Sequence, residues 1–269
     1  MKPEYTELSQ QDMAKQLKDR LNRNSDERLG LLTSIDGGQL ALLLLNPAKG
    51  TCEVLESPLE NNTYKAYTSN FAQFHWFERA LYDMFGIVAE GHPRFKHLLL
   101  HEQYEQNFFP LRTVPLPEGF RAPISQNYQF LEVKGVGVYE LPVGPIHAGI
   151  IEPGHFRFSC FGETIVNLEI RLGFLHRGVE KRLTEVPWQK AHYVAEAVAT
   201  DTACANALAH AEAIESIAQV EVPERAKFLR TIALEIERLA VHIFDIGGMC
   251  TDIGLLGISA TAGRLRGDQ

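Results

Sequence analysis

The sequence has no apolar run long enough to cross a bilayer; its most apolar stretch, Leu40 to Leu45, is strand-sized. Cysteine is scarce. Four occur, at positions 52, 160, 204 and 250, a spacing that disfavours a disulfide framework or a Cys-x-x-Cys metal site. No lysine- or arginine-rich run appears, and a formal net charge of −8 argues against nucleic acid as a partner. The first twenty residues lack the apolar core of a signal peptide, so the expected compartment is the cytoplasm. What remains is ordinary globular composition, 45% hydrophobic and 22% charged, over 269 residues, enough for two domains with their own cores.

The pattern predicts an α+β chain in two parts. Leu8–Leu21 carries Met13, Leu17 and Leu21 at helical spacing. Gly30–Ile35, Gln39–Asn46 and Thr51–Leu55 read as strands separated by Asp36-Gly37-Gly38 and Asn46-Pro47-Ala48-Lys49-Gly50 turns. Thr68–Phe85 reads as a helix with Phe74, Phe77, Leu81 and Met84 on its apolar stripe, closed by Gly86. These elements form a small domain with an antiparallel sheet, residues 1–112. A proline-rich linker covers 113–126. The remainder, 127–269, is a β-hairpin cap on a mainly helical bundle. Its expected elements are a strand at Asn127–Lys134 and a hairpin, His155–Phe161 with Glu163–Leu172, turning at Gly162. Alternation of Thr164, Val166, Leu168, Ile170 and Leu172 predicts one buried face. Pro187 starts a long alanine-rich helix to about Gln219, and Pro223 starts another.

Three constellations could carry chemistry. In Trp76–Gly86 with Gly91-His92-Pro93, the residues Glu78, Arg79 and Asp83 lie off the apolar stripe, and Asp83 in the last helical turn calls for a cation such as Arg94 or Lys96. In Gly144-Pro145-Ile146-His147 and Glu152-Pro153-Gly154-His155-Phe156-Arg157, a turn gathers a carboxylate, an imidazole and a guanidinium. These groups fit either a proton relay or a hydrogen-bonded structural corner. In Gly173-Phe174-Leu175-His176-Arg177-Gly178-Val179-Glu180, the guanidinium fits either a redox-tuning charge or an ion pair with Glu180.

The first constellation, with Phe109-Pro110-Leu111-Arg112, resembles the signature of the 30-kDa (C-type) subunit family of respiratory complex I. Ala80 replaces a glutamate of that signature and Arg94 an aspartate. The resemblance implies a docking domain without catalytic residues. The second and third constellations resemble the start of the large subunit shared by membrane-bound [NiFe] hydrogenases and complex I (the 49-kDa, D-type subunit). Fusion of the two domains resembles the hydrogenase-4 and formate-hydrogenlyase branch.

That resemblance implies a subunit of a membrane-associated redox complex on the inner face of the cell membrane, where quinone and NAD chemistry belong to the whole assembly. Its implied partners are an iron–sulfur small subunit and membrane-embedded antiporter-like and proton-channel subunits. Arg177 matches an arginine beside the partner's terminal [4Fe-4S] cluster, with His176 preceding it. His147 matches the first histidine of a quinone-cavity loop, whose second histidine corresponds to Ile151. Glu152 falls one residue from a proton-relaying glutamate; Glu152, His155 and Asp201 would handle protons in a vestigial cavity.

The departures are chemical. The places of the nickel-binding Cys-x-x-Cys are held by Ala199 and Thr202, and that of a quinone-binding tyrosine by Thr200. Alanine has no lone pair and a hydroxyl is a hard ligand, so nickel is disfavoured and no cofactor of the chain's own is expected. Cys204, displaced by two positions, reads as a buried small residue. Large subunits of this kind also continue well beyond the equivalent of Gln269. The expectation is a truncated product or a remainder encoded separately, with apolar faces of the Pro223 helix left uncovered for a partner. A non-catalytic assembly scaffold is the competing reading.

Overall fold

In the computed structural model, residues 4–21, 25–124, 127–147 and 151–267 are described. The last two residues of the predicted linker, Ser125 and Gln126, lie outside them. The chain divides into two compact units, Met1–Val138 with Arg171–His176, and Tyr139–Ile170 with Arg177–Gln269.

The first unit is built on β1 (Glu4–Glu7), α1 (Gln10–Arg20), β2 (Arg28–Ser34), β3 (Gln39–Asn46) and β4 (Thr51–Pro58). Strand order is β1-β4-β3-β2. The meander β2–β3–β4 is antiparallel as expected, whereas β1, which has no pattern of its own to announce it, pairs in parallel with β4. The turns follow from their side chains. Ser34 Oγ accepts from Gly37 N at 2.9 Å and Asp36 Oδ1 from Gly38 N at 2.7 Å, while Gly37 takes the left-handed φ of +100°. Ser9 caps α1 by accepting from Asp12 N, and the helix buries Met13 and Leu17 completely. Arg20 in its last turn bonds Glu27 (2.6 Å) and Glu53 (2.7 Å).

A short pair, β5 (Thr63–Lys65) and β6 (Val88–Glu90), brackets α2 (His75–Phe85). Helix α2 starts later than Thr68 because the Glu78 carboxylate takes Tyr67 N (2.6 Å), Thr68 N (3.3 Å) and Thr68 Oγ1 (2.6 Å), fixing a turn there instead. It ends at Gly86, φ +72°, where a Cβ would meet the Phe109 ring at 2.6 Å. Phe74, Leu81, Met84 and Phe85 join Leu40, Leu42, Leu44, Leu55 and Ile87 in one core.

The second unit holds β7 (Val138–Val143), β8 (His155–Phe161) and β9 (Thr164–Arg171) in that order, then α3 (Val179–Glu185), α4 (Ala191–Glu196), α5 (Ala203–Ala218), α6 (Glu224–Asp252) and α7 (Leu256–Gly267). The hairpin turns at Gly162, φ +58°. Three expectations are corrected. Asn127–Lys134 is not a strand where described; pairing begins at Val138. Val166 (49%) and Leu168 (39%) of β9 are exposed, and the residue buried there is Glu169, so the alternating face is not the buried one. The alanine-rich helix is broken between α4 and α5, at residues 197–202. Thr200, Asp201 and Thr202 are poor helix formers, and turns closed by N–H to the carbonyl three residues back end on Ala197, Val198 and Thr202.

Candidate functional site

In the first unit, Glu78 and Asp83 are buried rather than displayed, at 0% and 1% exposure, and so is Arg79. Asp83 finds neither Arg94 nor Lys96. One oxygen lies 2.6 Å from His97 Nδ1, and the other accepts from the N–H of Leu98 (2.8 Å), Leu99 (2.7 Å) and Leu100 (3.3 Å). A turn of backbone donors thus supplies the positive potential that the helix dipole withholds. Arg79 donates to the carbonyls of Lys96 and His97, both at 2.8 Å. The same 96–100 segment is therefore held by a cation and an anion from one helix. His75 packs against His92 with ring centroids 4.8 Å apart, and burial with the neighbouring His92 and Arg79 pushes its pKa down to about 4. Burial likewise pulls Glu78 upward, against its hydrogen bonds. These groups organise the fold.

In the second unit the two glycine-proline motifs close on each other. Gly154 N donates to Pro145 O (3.1 Å), His147 Nε2 to Gly154 O (2.8 Å) and His155 Nδ1 to Gly144 O (3.2 Å). A Cβ on Gly144, φ +77°, would collide with Gly154 O. His147 also meets the Phe156 ring edge-on. His147 and His155 thus staple a corner, each with one ring nitrogen on a carbonyl, and Glu152 stands exposed at its mouth. Arg157 reaches Glu140 at 3.5 Å.

The third constellation converges on the helix break. Arg177 does not pair with Glu180; its guanidinium, exposed, donates to Val198 O at 2.7 Å. Ala199 follows directly, and Thr202 N bonds Ala199 O at 3.1 Å. Asn206 Nδ2 lies 3.4 Å from both Ala199 O and Thr202 Oγ1. On the far side, Glu237 of α6 accepts from Cys204 N (2.6 Å) and Ala205 N (3.0 Å), capping α5. Glu237 carries no sequence signal, because its role depends on a helix contact more than thirty residues away. Cys204 is exposed, not buried, and partial desolvation of its thiol with the nearby Glu237 carboxylate raises the thiol pKa. Asp201 is exposed on the break. Among the described residues no hydrogen bond or ion pair joins Asp201 to Glu152 or His155. His176 closes a turn onto Gly173 O (3.2 Å).

Known proteins resemble this chain. Residues 10–118 match the family model of the respiratory-chain NADH dehydrogenase 30-kDa subunit. The chain is 33% identical to hydrogenase-4 component G of Escherichia coli K12, over 66% of this chain and 33% of that protein. It is 30% identical to formate hydrogenlyase subunit 5 of the same organism, over 84% and 40%. With the fused C/D 2 subunit of NADH-quinone oxidoreductase from Aquifex aeolicus it shares 29% over 83% and 43%. The chain spans between a third and somewhat under half the length of these curated relatives. No described helix is long and apolar enough to cross a membrane. The chain is thus similar in its first part to the 30-kDa subunit family, and over most of its length to the hydrogenase-4, formate-hydrogenlyase and fused C/D subunits.

Proposed function

We propose that this chain serves, peripheral to a membrane, as the subunit of a redox complex that stands against the iron–sulfur cluster of a partner small subunit. Antiporter-like and proton-channel subunits complete the proposed assembly. The observation carrying this reading is the meeting of Arg177 with the 197–202 break, which brings two motifs over twenty residues apart to one exposed place. A guanidinium there stabilises the reduced, more negative state of a nearby cluster and raises its potential. His176, next to it in sequence, orients the loop, and Glu152, His155 and Asp201 are the proposed proton-handling groups, with His147 holding the corner where Glu152 and His155 stand.

The donor set at the break does not fit nickel. Ala199 offers no ligand atom, and Thr202 offers a hydroxyl in place of a thiolate. Electron transfer is accordingly assigned to the partner's cluster. The uncovered apolar side chains of α6, Phe228 (69%), Leu229, Ile232, Ile236 and Leu239, supply an interface for assembly.

Co-expression with an iron–sulfur small subunit of the same type tests the proposal. A stable pair that turns over quinone or ferredoxin supports it. The degenerate donor set favours a second reading, an assembly scaffold, and binding without turnover would establish that one instead.

A further inference from the structure

The first unit is completed by six residues that arrive from far along the chain, and their docking depends on one buried histidine. His101 is 2% exposed, and its Nε2 lies 2.8 Å from Leu172 O. A carbonyl only accepts, so Nε2 carries the proton and Nδ1 keeps a lone pair. That Nδ1 is buried and has no hydrogen-bond partner. Gly173, φ +94°, presses so closely on the Leu99 backbone that a Cβ would overlap Leu99 O. Arg171 completes the strap by donating to both Glu102 oxygens at 2.7 Å, with its guanidinium over the Tyr128 and Phe174 rings.

We infer that segment 171–176 is an acid-released strap, seated on the 99–102 and Tyr128 face while His101 is neutral and released when Nδ1 is protonated. A proton on Nδ1 would make the buried ring a cation whose second N–H has no acceptor. The charged and titratable groups facing the ring are Asp83 of α2, Glu102 of its own segment, Arg171 of β9 and the Tyr128 phenol. Neither carboxylate is available. Asp83 is saturated by His97 and three backbone N–H groups, and Glu102 is held by Arg171. Arg171 adds repulsion, and burial together with that charge lowers the His101 pKa. The strap ends on His176 and is followed by Arg177, but the inference stands apart from the redox proposal because it concerns the chain alone.

Hydrogen exchange on the full chain, corrected for the intrinsic pH dependence, tests it beside NMR titration of the His101 ring. Protection of 171–176 should fall by about tenfold or more on acidification, the effect of one pK unit of differential protonation. The midpoint should coincide with that of His101, below the ordinary histidine range, while peptides of β3 and α1 stay protected. Gly173→Ala should release the segment at neutral pH with the same core protection. His101→Gln, which keeps a donor toward Leu172 O, should remove the acid release. A strap that stays protected while His101 titrates overturns the inference. So does a His101→Gln chain that releases at the wild-type midpoint, or a Gly173→Ala chain that stays closed.

Discussion

The two units treat their apolar residues in opposite ways. The first buries Phe74, Leu40, Leu42, Leu55 and Ile87 completely around Met13 and Leu17 of α1. The second has a 29-residue helix, α6, in which only Gly247 and Cys250 are buried, although Phe228, Leu229, Ile232, Ile236, Leu239, Ile246 and Met249 lie along it. Helical spacing of apolar residues therefore means different things in the two halves. In α2 it marks a seat in the molecule's own core, and in α6 it marks an exposed face.

The sharpest way to break that contrast is to truncate one side chain on each side. Phe74→Ala should cost about 3–5 kcal/mol in denaturant unfolding, from lost burial plus a cavity. Phe228→Ala, at a 69% exposed position, should stay within roughly 0.5 kcal/mol in the isolated chain. Equal costs would refute the contrast. Next in size is Asp83→Ala, which leaves three backbone donors and His97 without their acceptor. It should destabilise the first unit by about 3 kcal/mol, read as a lowered midpoint at unchanged slope.

The third effect is a pH dependence confined to the first unit. His75 is held near pKa 4 in the fold and regains its ordinary value of 6.5 on unfolding. Between those values the unfolded chain binds more protons, so stability is complete above about 6.5 and declines as pH falls towards 4. His75→Gln should flatten that limb of a stability–pH curve, and an unchanged slope would remove the assignment. The smallest effect is in the second unit. Glu237→Gln weakens the cap on α5 and should cost roughly 1 kcal/mol, seen as faster exchange at Cys204 and Ala205. No change there would mean that α5 starts without α6.

Legibility differed between the units for the same physical reason. In the first, α1, the β2–β4 meander and the Gly86 stop were readable because local pattern and tertiary burial agree. The parallel β1–β4 pair was not readable, since four residues of mixed character pair only with a strand already in place. Asp83 was recognisable as an anion needing compensation, but backbone donors at 98–100 have no side-chain signature. In the second unit, strict alternation along β9 and the alanine run suggested a covered sheet face and a continuous helix. Val166 and Leu168 of that sheet face are exposed, and the helix breaks where Thr200, Asp201 and Thr202 interrupt the alanines. The candidate residues were legible by type and spacing. Their partners, Val198 for Arg177, Gly144 for His155 and Gly154 for His147, are carbonyls, which sequence never announces.

On the proposed reading, the exposed guanidinium at the helix break faces a cluster held by a partner. Redox-titrated EPR of that cluster in the assembled pair, with Arg177 intact and with Arg177→Met, tests this most directly. Loss of the positive charge should lower the cluster's midpoint potential with the pair still assembled. An identical potential in both assemblies would contradict the reading.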